Sequence, residues 1–415
     1  MPFLAFVSAL LMIQSPAQDS VKNDLSVNVE IRPRLEFKEN YRLSSEENYD
    51  PTTFISQRNR LNISNVRKNL NLRISFQEIH LFLKNGIGSQ VGSVNFNELY
   101  IEPKVGKHFS AIIGRQNFQL DNGRMFSAAP WSQQNRSHEG IRFQYVTRAF
   151  RTDFATFFTR DYGHRFESSY SPVASHKYQY LLVHQLKGTY QQLTYTLINS
   201  AELFDKTYFN AKRYASGGRL EYTLKGVYTT LSAFYQYGRN QQNQRVRAYY
   251  IQPEVSATLK KFTFRVGAEL LSGNPADVKN GYSNSYEIAY GVAWKFMGNM
   301  NFYAKFPADV ANKGLFNPYL FLFYRLNKKF QLRLDSHLFY SQYPLANQAK
   351  KYLGYEADFS FNYKPTAYVD LNYGLSIYDP TSSMLLLKKI QNTTSTPIWS
   401  YLMISINPTV FSRKS

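Results

Sequence analysis

The 415-residue chain contains no cysteine, which excludes a disulfide, a thiolate metal centre and a lipid-modified N-terminal cysteine. It also lacks any apolar run approaching the roughly 20 residues that a membrane-crossing helix requires. The longest such run lies between Leu4 and Ile13, so a helical membrane protein is excluded. Acidic residues are scarce, 29 against 49 Lys and Arg, leaving a formal net charge of +20. That surplus suits nucleic acid, anionic lipid or an anionic solute. Neither a basic recognition helix nor zinc-finger spacing accompanies it, so no nucleic-acid partner is expected. Tryptophan is rare, at 3 residues, yet the 33 Tyr and 32 Phe carry most of a 16% aromatic content. Both favour strands, and tyrosine suits a membrane–water boundary, where transmembrane barrels wear aromatic girdles.

At the N-terminus, Phe3 to Ile13 forms an apolar core, and Ser15-Pro16-Ala17 supplies small residues for cleavage before Gln18. Residues 1–17 therefore read as a signal peptide, although the usual basic start is missing, and residues 18–415 as the mature chain. From Asp24 onward, strand-length stretches alternate polar and apolar residues with the two-residue period of a strand that has one wet and one greasy face. Asn28, Glu30, Arg32, Arg34 and Glu36 share one face; Val27, Val29, Ile31, Leu35 and Phe37 share the other, with Pro33 marking an edge, a bulge or an irregularity. Thr263, Arg265, Gly267 and Glu269 oppose Phe262, Phe264, Val266 and Ala268. Glu356, Asp358, Ser360 and Asn362 oppose Phe359, Phe361 and Tyr363 in the same way.

A soluble sandwich would alternate too, but turn length separates the two architectures. Short basic turns (Arg67-Lys68, Gly106-Lys107, Lys187-Gly188, Lys225-Gly226, Lys260-Lys261, Lys328-Lys329, Lys364-Pro365) alternate with longer polar loops at 38–53, 118–138, 161–177, 202–214, 273–283, 341–350 and 380–396. Short periplasmic turns and long extracellular loops are the outer-membrane arrangement. The expected fold is all-β: a single antiparallel transmembrane β-barrel of 18–20 strands, the higher count requiring a strand from Asn301 to Phe306. The number must be even if both termini are periplasmic. Localisation follows, in the outer membrane of a Gram-negative bacterium, with outer-membrane lipid and the barrel-assembly machinery as partners. Strand alternation starts near the cleavage site and leaves no room for a separate N-terminal plug domain.

Several segments resemble the alginate-export family of outer-membrane porins. Ile113-Gly114-Arg115-Gln116-Asn117-Phe118, then Gly123-Arg124, Trp131 and the block from Arg136 to Arg142, look like that family's strand–loop–strand signature. Arg32-Pro33-Arg34-Leu35-Glu36 and Gln57-Arg58-Asn59-Arg60-Leu61 look like its opening pair of arginine-bearing strands. Glu269 to Gly273, Lys295 to Phe302 with Gly314-Leu315, and Gly354 to Asp358 are similar to later blocks. The resemblance implies 18 strands and diffusive passage of a polyuronate through a lumen lined by charge.

The candidate pore-lining residues are Arg32, Arg34, Arg58, Arg60, Arg73, Arg115, Arg142, Arg151, Arg219, Arg265 and Arg333, with Arg124 and Arg136 in the 119–138 loop. Glu269, Glu356 and Asp358 are the acids singled out beside them, among other lumenal acids such as Asp335. Two readings stay open: ion-pair ladders that brace the wall, or a partly unpaired cationic track. Arginine's planar fork grips a carboxylate at two points and never loses its charge. The wet faces use Arg almost exclusively, whereas the turns use mostly Lys, which contacts anionic headgroups. The 119–138 loop, with Gly123, Pro130 and Trp131, is expected to fold inward as a constriction.

No catalytic, cofactor or metal site is expected. The seven histidines show no metal-ligand spacing and no strand–Ser–helix elbow occurs. Ser137, His138 and Glu139 are consecutive on a strand and point to opposite faces, so they form no triad. The functional expectation is a passive outer-membrane channel for an acidic oligo- or polysaccharide, alginate-like, with no cofactor. The alternatives are a general or small-anion porin and an outer-membrane esterase or phospholipase.

Overall fold

The computed structural model describes residues 23–43, 51–82, 92–159, 178–205, 208–288, 290–293, 295–345, 350–390 and 395–414. The expected signal peptide and the 161–177 loop lie outside the described residues. A single antiparallel sheet begins with β1 (Asp24–Glu39), β2 (Thr52–Val66), β3 (Leu70–Leu81), β4 (Gly92–Val105), β5 (Phe109–Asn117), β6 (Ser137–Val146) and β7 (Phe150–Phe158). It continues through β8 (Tyr180–Tyr190), β9 (Leu193–Leu203), β10 (Lys212–Leu224), β11 (Val227–Arg239), β12 (Arg245–Leu259) and β13 (Phe262–Leu271). A long excursion holding the two-residue β14 (Tyr282–Ser283) then leads to β15 (Leu315–Arg325), β16 (Phe330–Tyr340), β17 (Tyr352–Thr366) and β18 (Val369–Pro380).

The last strand is broken at Asn407-Pro408 into β19 (Ile398–Ile406) and β20 (Thr409–Lys414), and both pieces pair antiparallel with β1. That pairing closes the sheet into an 18-strand barrel among the described residues. Pro33 sits where the ladder to β19 skips from Ile31 to Arg34, while the ladder to β2 runs through it unbroken. Its missing N–H is thus placed on the side where the last strand is irregular.

Of the 18–20 strands expected the barrel has the lower number, and two of the expected turns are displaced. β13 pairs directly with β15, from Phe262↔Tyr324 to Leu271↔Leu315, so no edge is left for a strand at Asn301–Phe306. Lys187-Gly188 is strand, not turn: the ring of Tyr195, opposite Gly188 in the ladder, fills the space a side chain would take. Lys364-Pro365 falls inside β17 at a register shift between Tyr363 and Thr366, a position that tolerates proline within a sheet. The real turns there are 191–192 and 367–368. Turns of two to four residues occupy one rim throughout, and all the longer connections occupy the other.

The alternation read from the sequence becomes an outer and an inner surface. Leu197, Leu220, Leu231, Val255, Leu320 and Leu334 are exposed on the outside, part of an apolar surface far too extensive for water and suited to lipid. Arg32, Arg58, Glu254, Glu269 and Asp335 are buried inside. Among the described residues no helix is long and apolar enough to cross a membrane. The one α-helix described, α1 (Ser382–Lys388), is capped by Thr381, whose hydroxyl accepts from the Met384 N–H.

Candidate functional site

Among the described residues, two long connections turn into the barrel instead of away from it. The first is residues 118–136, between β5 and β6; the second is residues 272–314, between β13 and β15. Phe118, Phe126, Met297, Met300, Phe302 and Tyr303 from these segments are fully buried. Phe126 stacks on Tyr290 with ring centroids 5.5 Å apart, and Phe118 meets Phe157 of the wall edge-on at 4.8 Å.

The loops are also joined through backbone. Ser127 N–H donates to the Tyr290 carbonyl at 2.9 Å, and Val292 N–H to the Gly123 carbonyl at 3.3 Å. Gly291 is needed at this junction, because a Cβ there would lie 1.7 Å from the Arg124 carbonyl oxygen. Arg124 Nη1 donates to the Val292 carbonyl (3.0 Å), Arg136 Nη1 to that of Gly291 (2.7 Å), and Lys295 Nζ to that of Asn122 (2.7 Å). Burial holds the Arg136 guanidinium below its ordinary pKa.

Wall arginines hold the first loop from the other side. Arg32 donates to Gln133 Oε1 (3.1 Å) and to the carbonyls of Pro130 (2.9 Å), Trp131 (3.2 Å) and Ser132. Arg58 reaches the Ser132 carbonyl (3.0 Å) and also pairs with Glu30. Arg34 pairs with Glu36 at 2.9 Å while its guanidinium lies 4.4 Å from the centre of the Trp131 ring. Arg60 donates to Gln77 (2.8 Å) and stands 3.8 Å from Glu30. Four arginines thus crowd around two glutamates, Glu30 and Glu36.

Six more of the arginines expected to line the pore each meet an acid. Arg73 pairs with Glu98 (3.1 Å), Arg265 with Glu254 (2.6 Å) and Arg333 with Asp335 (2.6 Å). Arg142 and Arg151 share Asp153 at 2.9 and 2.7 Å, and Arg219 lies between Glu221 (3.3 Å) and Asp121 (3.7 Å). Ion-pair ladders therefore account for most of these side chains, with a local excess of positive charge around β1, β2 and Asp153.

Arg115 corrects the sequence reading. In the ladders it faces Leu99 and Glu139, and it shares their outer face with Ile113, Phe143 and Tyr145. It pairs with Glu139 at 2.5 Å near the long-loop rim and does not line the lumen. His138, one residue earlier, points inward, where it is hydrogen-bonded to the Tyr178 hydroxyl at 2.8 Å.

The second loop is seated on the acids of β17. Met300 N–H donates to Glu356 Oε1 at 2.8 Å and Asn299 N–H to Asp358 Oδ2 at 3.3 Å. Gly298, at φ +76°, presses against the Glu356 carboxyl so closely that a Cβ would fall 2.3 Å from it. The inward course of this second segment is not legible in its residues, although Lys295 to Phe302 stands out as a family-like block; the absence of a strand period from Met297 to Met300 is the one local sign of it. Between this loop and the short-turn rim lies a cavity of about 250 Å³, lined by Trp131, Trp399, Tyr401, Arg333 and the amides of Asn299, Asn301, Gln331, Asn362 and Asn372, among others.

A lipid-facing barrel with a charged interior and inward loops is an outer-membrane porin channel. The chain belongs to the alginate export family, which it matches over residues 23–382. No curated protein sequence matches it. Among solved structures, the barrel is similar to OccK5 (OpdH) of Pseudomonas aeruginosa, with a TM-score of 0.64 and 11% identity over 94% of this chain and 99% of that one. OprD of the same organism gives 0.61 and 8% identity over 93% and 94% of the two chains. OccAB4 of Acinetobacter baumannii gives 0.61 and 11% over 95% and 100%. At such identities these likenesses bear on the fold. The fold and family place the chain in the Gram-negative outer membrane.

Proposed function

We propose that the channel passes an acidic oligo- or polysaccharide by diffusion. The observation that carries this reading is the lining of the 250 Å³ cavity, which combines five aromatic rings, five carboxamides, one serine and one arginine. Aromatic faces suit the apolar faces of sugar rings, and carboxamides can both donate to and accept from hydroxyls. Arg333 adds a planar fork for a carboxylate. The four arginines around Glu30 and Glu36 extend a positive field along the same lumen. We further infer that the chain enters the membrane through the barrel-assembly machinery, as a large closed barrel would.

A small-anion porin is the second reading, favoured by the pairing of most lumenal arginines, which leaves general positive bias rather than a dedicated track. Planar-bilayer conductance with competing sugars separates the two. Uronate oligomers are expected to block the current in a concentration-dependent way, while neutral oligomers of the same length block weakly. Equal indifference to both would favour the small-anion channel. Lipid-ester hydrolysis by the same preparation is expected to stay at background.

A further inference from the structure

We propose that Asp335, His337 and Asp358 form a buried site for one divalent transition cation of the zinc class, set in the barrel wall beside the second loop. The ladder between β16 and β17 places Asp335 directly opposite Asp358, and His337 directly opposite Glu356. Like charges facing each other across an antiparallel pair repel. Here both carboxylates are 2% exposed, so water does little to relieve them.

The compensation on hand is uneven. Asp335 accepts from Arg333 through Nε at 2.7 Å and Nη2 at 2.6 Å. Asp358 Oδ2 accepts the 3.3 Å bond from Asn299 N–H, and Ser376 stands opposite it on β18. Its other oxygen, Oδ1, is buried with no N–H donor on it, and only the Ser376 hydroxyl and the Glu356 carboxyl are near enough to compensate Asp358 further. Glu356 Oε2, in the adjoining lumenal position of β17, likewise has no N–H donor and faces the Asp358 carboxyl.

The histidine is turned to suit a ligand. Its Nδ1 lies 3.1 Å from Asn317 Oδ1, which can only accept, so Nδ1 carries the proton. That leaves Nε2 unprotonated, 3.9 Å from Asp358 Oδ2. One ligand atom from each of the three residues lies within 4.8 Å of the others. A tetrahedral zinc site sets its ligands about 3.4 Å apart, so modest closure would complete the shell. An imidazole held by a second-sphere amide, with two carboxylates, suits zinc or a neighbouring transition metal. Calcium, which takes six to eight oxygens, fits poorly. The fourth position falls to water or to Glu356 Oε2. Because Asn299 hangs from Asp358 and Met300 from the adjoining Glu356, the cation would also fix the loop's anchor.

The test uses the full chain folded in detergent micelles, stripped with EDTA and titrated with Zn²⁺ by calorimetry and with Co²⁺ by visible absorption. One equivalent of Zn²⁺ and a four-coordinate Co²⁺ spectrum are expected. His337→Gln and Asp358→Asn should abolish both, and Asn317→Ala should weaken uptake about 10–100-fold. Heat-modified gel migration establishes that each variant is folded. No stoichiometric uptake by the wild-type chain, as when protons shared among the acids do the compensating, overturns the proposal. So does undiminished uptake in His337→Gln and Asp358→Asn. Should those two not fold, unchanged affinity in Asn317→Ala overturns it instead.

Discussion

Arg124 leaves the first inward loop to meet Glu269 on β13, Nε to Oε1 at 2.8 Å, where the two side chains are 2% and 0% exposed. Tyr250 donates its hydroxyl to the same Oε1 at 2.7 Å. Removing one partner of such a pair leaves a buried charge uncompensated, at a cost of about 3–5 kcal/mol. Arg124→Ala is therefore expected to lower the unfolding midpoint and, by releasing the loop, raise single-channel conductance. The paired replacement Arg124→Met with Glu269→Met should recover much of the stability but not the original conductance. Conductance unchanged in Arg124→Ala would show that the loop is held without this contact.

Lys295 supplies a pH dependence. Burial, reinforced by the positive field of Arg265 and Arg219, lowers its ammonium pKa from 10.5 to about 8, against an opposing pull from Asp121. The group is charged below that value and neutral above it, so the lumen loses one positive charge as pH rises through 8. Anion preference, read as reversal potential in a salt gradient, is expected to fall between pH 7 and 9.5. Lys295→Met should start at the lower preference and show no such step.

Gly298 tests the anchor of the second loop. An alanine there would meet the Glu356 carboxyl and would also hold φ near +76°, a conformation that costs a residue with a Cβ about 1–3 kcal/mol. Gly298→Ala should loosen residues 295–303 and make them cleavable by added protease in detergent. Adding Glu356→Ala relieves the collision but not the backbone cost, so protection should return only in part.

At the rim, the Arg115–Glu139 pair keeps its side chains 35% and 62% exposed, and such pairs contribute about 0.2–1 kcal/mol. Arg115→Leu is expected to leave conductance and ion preference unchanged and to shift stability little. A clear loss of anion preference would return Arg115 to the lumen.

The barrel was legible in the sequence because strand alternation is local. Phe262, Phe264 and Val266 declare one face of β13, and Arg265 and Glu269 the other, without reference to the rest of the chain. Arg115 shows where this fails. Its neighbours run Ile112-Ile113-Gly114, apolar or neutral on both faces, and only the ladder to Leu99 and Glu139 assigns its side. The first loop could be picked out by Gly123, Pro130, Trp131 and its arginines. The second could not, since Met297, Met300 and Phe302 are buried by residues remote in sequence, such as Tyr378, whose ring lies 3.9 Å from that of Phe302. Spacing likewise hides Asp335, His337 and Asp358, which meet across a ladder rather than along a motif.

The backbone link between the two inward segments has a consequence for the shape of the ionic current. Ser127 and Tyr290, Val292 and Gly123 join them as neighbouring strands are joined, so neither can swing aside while the other stays. Among the described residues the two segments thus form one obstacle made of two pieces of chain. Current recorded from a single barrel should switch between two levels, without the intermediate step that two independent flaps would produce.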